Sequence, residues 1–288
     1  MIPSLHAVRR FVPVRALRRA TLCILGAVAL PCSAGAQLRP LEPVEWRAFD
    51  GPGTAHVALG AGVLTDQRAS LAGTQGTLQE IGNWLLTYRS GRIALEFSGT
   101  AVRRFTDDTV LTAAFERTDE PDGTARVDAG DVRIATVLHV LGGFERAAVL
   151  LRFGTRLPTT SDEPGLDRDR TDFFATVAAR HALSRVLRAF GEAGVGINST
   201  IVDSYPQSDV LLYVAGVEAR LAPVTLSALV AGQDDLHERV IRGNEDLAEV
   251  RLGATIGDHR WLEVEMVRGI ADFSPGWGVL LQAGARLW

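Results

Sequence analysis

The chain has 288 residues, 22% charged and 47% hydrophobic, with a formal net charge of −4 and two cysteines. Its 30 cationic side chains other than histidine are all arginine, and the net acidity argues against a general nucleic-acid binder, which needs a basic footprint. Both cysteines, Cys23 and Cys32, lie in the first 36 residues, so the remainder can build neither a disulfide scaffold nor a thiolate metal site.

Residues 1–36 hold Arg9, Arg10, Arg15, Arg18 and Arg19 and no acid, then an apolar run over 22–30, then Ala34-Gly35-Ala36. That order describes a cleavable secretory signal. The apolar run is too short for a membrane-spanning helix, which needs ~20 residues. Pro31 stands before Cys32 where a lipid-attachment site takes a small residue, which argues against an anchor there. Cleavage after Ala36 would leave a chain from Gln37 with net charge −9.

From residue 56 onward the dominant signal has period two. Over 211–221, Leu211, Tyr213, Ala215, Val217, Ala219 and Leu221 share one face, while Glu218 and Arg220 fall on the other. Over 186–198, Leu187, Ala189, Ala193, Val195 and Ile197 oppose Arg188, Glu192 and Asn198. Such runs predict about twelve strands, at 56–66, 80–89, 92–105, 131–141, 146–157, 171–182, 186–198, 209–221, 224–232, 246–256, 261–270 and 277–287. Most exceed the ~5–6 residues of a globular strand and match the ~9–11 of a tilted membrane-crossing strand.

The connections alternate. Short turns fall at Ser90-Gly91, Gly142-Gly143-Phe144-Glu145, Leu183-Ser184-Arg185, Ala222-Pro223 and Gly257-Asp258-His259-Arg260. Longer connections are expected at 67–79, 106–130, 158–170, 199–208 and 233–245; only the last connection of this set, near Pro275-Gly276, is short. This pattern predicts an all-β fold: a transmembrane antiparallel barrel of about twelve strands over 56–288, with short periplasmic turns, long extracellular loops and both chain ends in the periplasm of the bacterial outer membrane. A secreted soluble sandwich gives the same alternation, which does not say whether the apolar face meets lipid or a core. Segment 37–55, with Pro40, Pro43, Pro52, Trp46 and Phe49, either plugs the periplasmic mouth or trails as a leader; its Pro and Gly content favours a disordered leader. Tyr88, Phe105, Phe144, Phe173, Tyr213, Trp261 and Trp277 lie near strand ends, where interfacial girdles need aromatics. Trp288 is terminal, like the aromatic of a barrel-assembly signal. It shares a face with Arg286 rather than with Val279, Leu281, Ala283, Ala285 and Leu287, so a late bulge would be needed to restore its phase.

Over 130–232 the residues also resemble a known family. Gly130-Asp131-Val132 opens strand four, followed by Leu151-Arg152-Phe153-Gly154-Thr155-Arg156-Leu157-Pro158-Thr159, Thr171-Asp172-Phe173, Gly191-Glu192-Ala193-Gly194 and Asp209-Val210-Leu211-Leu212-Tyr213. This order is similar to that of the outer-membrane transporters named for the MetA pathway of phenol degradation. The chain departs at Thr160, where that family usually has Gly, and at Pro164-Gly165-Leu166-Asp167-Arg168-Asp169-Arg170, which replaces a Gly-rich loop expected to shape entry to a pore. The resemblance implies a barrel transporter, and its name reflects association with aromatic degradation. A shared fold is not a shared function.

If the apolar faces meet lipid, the lumen is lined by Glu96, Arg133, Arg152, Arg156, Asp172, Arg180, Arg188, Glu192, Glu218, Arg220, Glu249, Arg251, Glu263, Glu265 and Arg286. Buried charges must be paired or wetted. These rings either tune a polar channel or interlock and fill a narrow barrel. The function expected is therefore passive uptake of small molecules, aromatic or hydrophobic ones among them. The alternative is a non-conducting structural or surface-interaction barrel. A lipid hydrolase is disfavoured because none of His56, His139, His181, His237 and His259 meets a Ser near the rim. Acidic residues crowd two loops: Asp107, Asp108, Glu116, Asp119, Glu120, Asp122 and Asp128, then Asp162, Glu163, Asp167, Asp169 and Asp172. They read as solvated loops rather than cation sites, lacking EF-hand spacing. Outer-membrane lipid and lipopolysaccharide, the barrel-assembly machinery and a small solute are the expected partners; no cofactor or metal is expected.

Overall fold

The structure is a computed structural model. It describes residues 38–49, 55–111, 125–159, 165–167, 170–202, 205–236 and 246–287; the expected signal, Gln37, His237, Trp288 and the acids Glu116, Asp119, Glu120, Asp122, Asp162, Glu163 and Asp169 lie outside the described residues.

Backbone amides in a bilayer must be satisfied within the protein, which leaves helices or closed barrels. No helix here is long and apolar enough to cross a membrane. The strands are β1 (Ala55–Ala69), β2 (Thr74–Ser90), β3 (Ile93–Val110), β4 (Ala125–Asp128), β5 (Val132–Gly143), β6 (Ala147–Leu157), β7 (Asp172–Ala182), β8 (Leu187–Val202), β9 (Tyr205–Leu221), β10 (Val224–Asp235), β11 (Leu247–Ile256), β12 (Arg260–Gly269) and β13 (Trp277–Arg286). Consecutive strands pair antiparallel, and β1 pairs with β13 to close the ring. The short β4 and β5 occupy one stave: β4 pairs with residues 103–106 of β3 and β5 with residues 93–98. The fold is thus a closed twelve-stranded transmembrane antiparallel barrel.

Side-chain direction settles which face is which. Leu59, Val63, Val177, Val195, Leu252, Val279 and Leu281 point outward and are exposed, whereas Arg152, Arg156, Arg180, Glu192, Glu249 and Arg251 point inward and are buried. This inverts a soluble protein, with an apolar exterior and a charged interior.

The strand ends differ from the sequence expectation. Connection 67–79 shrinks to a turn at residues 70–73, and connection 199–208 is largely taken up by β8 and β9. Register shifts explain both. Bulges at Leu64/Gln67, Gln75/Gly76 and Ser199/Val202 scramble the alternation while the ladder continues. A further bulge at Gly60/Ala61 sets Gly82, at φ +69°, outside the β1–β2 pairing and reverses the inward phase of β2 from Glu80 to Thr87.

The aromatics divide. Tyr88, Phe173 and Trp277 are exposed on the outer surface, but Phe105 and Trp261 are buried and Phe144 packs against an interior cluster. Those three belong to the filled interior described below, so only part of the expected girdle faces lipid. β13 pairs with β1 from Trp277 to Arg286 without a register shift, so no late bulge re-phases its described residues.

Candidate functional site: a filled lumen

Residues 38–49 thread the barrel, contrary to the leader expected from their composition. Leu38 is 1% exposed and belongs to an apolar cluster with Leu64, Ala69, Ala72, Leu78, Phe105, Leu166 and Val267, at the long-loop end. At the other end the turn Trp46–Phe49 packs on the short-turn side, where the Phe49 and Phe144 rings stack at 5.2 Å. Extended chain from Arg39 to Trp46 reaches about 25 Å, the height of the apolar band of such barrels, ~25 Å. Pro40 and Pro43 suit this path because each removes a backbone donor that a water-poor lumen would otherwise have to satisfy.

The wall meets the thread rung by rung. Arg39 pairs with Glu80 and Glu249, both at 3.4 Å. Glu42 pairs with Arg251 at 2.5 Å, and its carbonyl accepts from Arg152 at 2.9 Å. The amides of Val44 and Glu45 donate to Glu192 at 2.9 Å and Glu96 at 3.3 Å. Arg180 lies 4.8 Å over the Trp46 ring. Arg47 pairs with Glu263 at 2.8 Å and stacks 5.1 Å from Trp261. Trp261 itself lies flat over Gly284, where an added Cβ would come within 2.2 Å of the indole. Gly284→Val should therefore lift Trp261 and unseat Arg47, at a cost of about 1–3 kcal/mol typical of overpacking. A lowered unfolding midpoint and shifted tryptophan emission, in a barrel that still folds, would register it.

A loop closes the long-loop end. Leu166 is 1% exposed within the Leu38 cluster, and Asp167 reaches Arg103 at 3.1 Å and Arg156 at 3.6 Å. Gly165 makes this fold possible: its φ is +69° and an added Cβ would lie 2.8 Å from the Ala72 nitrogen. Asp167 and Asp172, expected in an acidic loop, are instead buried among arginines. Among the described residues no group of three or more His, Cys, Asp or Glu is placed to hold a metal ion.

Between thread and wall remains a cavity of about 680 Å³ that reaches the short-turn residues Pro223 and Asp258. Of the fifteen arginines and acids expected to line the lumen, ten border this space: Arg152, Arg180, Glu218, Arg220 and Arg251, with Glu96, Arg133, Glu263, Glu265 and Arg286. The other five point inward but are consumed in pairs and contacts. Arg156 holds Asp131 and Asp172. Arg188 holds Glu218. Glu192 accepts from Arg152 and Thr176, and Glu249 from Arg39 and Arg251. Sequence reasoning missed Arg39, Glu42, Glu45 and Arg47 on the thread, and Glu80, Arg103 and Asp131 on the wall. The signal available was a balance of charges on the thread matching that of the inward faces.

No family model matches the chain, and no curated protein does. Among solved structures, the COG4313 outer membrane channel from Pseudomonas putida F1 superposes with a TM-score of 0.59 at 14% identity, covering 86% of this chain and 100% of that one. The barrel has the fold of an outer-membrane channel. The NanC porin (TM-score 0.46, 8% identity, 80% of this chain and 97% of that one) and the CymD monoaromatic hydrocarbon channel (0.42, 9%, 83% and 90%) resemble it more loosely. All three are transport proteins by description. Of the resemblance over 130–232, the outer-membrane barrel fold is what these structures share.

Proposed function

We propose that this chain is an outer-membrane channel for passive passage of small molecules, aromatic ones included, whose resting lumen is closed. The observation that supports the reading is the cavity: a charged-walled space inside a transmembrane barrel, reaching the short-turn end and capped at the long-loop end by apolar side chains. The short-turn end then faces the periplasm. Outer-membrane lipid and lipopolysaccharide surround the barrel, and the assembly machinery inserts it.

Single-channel conductance in a planar bilayer tests this. Discrete steps are expected from the folded protein, and Leu166→Asp should make them larger or more frequent. A carboxylate forced into the Leu38 cluster without a partner costs several kcal/mol, so the loop should leave the mouth. A folded barrel silent with and without that substitution would overturn the reading. It would favour the second one, a non-conducting scaffold, which the ion-pair lattice filling the lumen also supports.

A further inference from the structure

Among the described residues the ion-pair lattice leaves out Arg133, partway up the cavity wall. Leu85 on β2, Ser98 on β3, Arg133 on β5 and Arg156 on β6 form a row in which each lies directly opposite the next. Arg156 is matched by Asp131, Asp167 and Asp172, and Arg103 by Glu80 and Asp167. Among the described residues, no carboxylate comes within ion-pair distance of Arg133, which borders the cavity. The two thread carboxylates bordering the same space are committed elsewhere, Glu42 to Arg39 and Arg251 and Glu45 to Arg47. Like charges directly opposite one another are destabilising, and Arg133, half-buried on the cavity wall, lacks among the described residues the counter-charge that a partly desolvated guanidinium calls for. Its planar fork matches a carboxylate in bidentate fashion. Beside it the cavity offers the hydroxyls of Ser98 and Thr100, and apolar surface from Leu85 and Pro43.

We propose that Arg133, Ser98 and Thr100 form a subsite for the carboxylate of a small organic acid whose apolar body lies against Leu85 and Pro43. The proposal rests on the passage reading, since it names the class of solute. The space available lies within the ~300–1,000 Å³ range of small-molecule sites.

The test is calorimetric titration of the folded protein in detergent with benzoate and with benzamide, its neutral isostere. Benzoate should bind at least about tenfold more tightly, because charge-assisted hydrogen bonds are roughly twice as strong as neutral ones. Arg133→Gln should abolish the preference and Arg133→Lys should keep part of it. Arg286→Gln should leave it unchanged: Arg286 also borders the cavity without an ion pair among the described residues, but opposite His56 at the short-turn end. Equal binding of the two probes by the unaltered protein would overturn the subsite whether or not any variant folds. So would a preference that survives Arg133→Gln or disappears in Arg286→Gln. Binding needs no open pore, so the two readings fail separately. A barrel that prefers benzoate through Arg133 yet passes no current refutes passage and keeps the subsite. A conducting barrel indifferent to benzoate does the reverse.

Discussion

Deleting residues 38–49 is expected to leave a folded barrel and to open its lumen. The strand ladder does not use this segment: closure rests on the β1–β13 pairing, which begins at His56. A heat-modifiable shift on a gel should therefore survive the deletion. The lumen loses the chain that binds Glu249, Arg251, Arg152 and Glu192. Those groups would then face water, where charge costs little. It also loses Leu38 from the apolar cap, which weakens the long-loop seal at the same time. Conductance steps several-fold larger than those of the intact protein are the expected readout, since twelve strands enclose more space than the eight whose side chains can fill a barrel. Steps of unchanged size would mean that Leu166 and its neighbours alone set the closure.

Arg152→Met should cost about 3–5 kcal/mol, the penalty for leaving buried charges without their partner. Arg152 is buried between Glu96 at 2.8 Å and Glu192 at 3.3 Å, and its guanidinium lies 5.4 Å over Phe174. Removing it leaves two carboxylates with, among the described residues, only Thr176 and two backbone amides of the thread as donors. The urea midpoint for loss of the folded gel band measures the effect. A cost below about 1 kcal/mol, as for exposed pairs, would mean that water already screens the lattice. Combined with deletion of 38–49 the penalty should shrink, because a hydrated lumen solvates both carboxylates; the two changes share partners and should not add.

The staves of this barrel were legible because each must show lipid an apolar row, as Val177 on β7 and Leu252 on β11 do. That constraint stops where a strand leaves the bilayer or bulges, which is why the upper ends of β1, β2, β8 and β9 look like loops in the sequence. Alternation also placed Arg152, Glu192 and Arg251 inside. It could not say which inward charges border open space, since that depends on partners contributed by a distant segment. Arg103 escaped for a local reason. Ala101 and Val102 are both exposed, so the inward phase of β3 slips just before it. The thread was the largest miss. Prolines and scattered charges look the same in a leader and in a lumen filler; only the complementary interior tells them apart.

The position of the thread also constrains the order of assembly. Leu38 lies at the long-loop end, while Phe49 lies near the short-turn end where β1 begins. In chain order the segment therefore descends through the interior, opposite in direction to β1, which climbs back to the long-loop end. Once the β1–β13 seam has zipped, each charged side chain of the segment would have to pass the oppositely charged rungs, breaking and remaking pairs on the way. Laying the segment against an open sheet before the seam shuts avoids every one of those crossings.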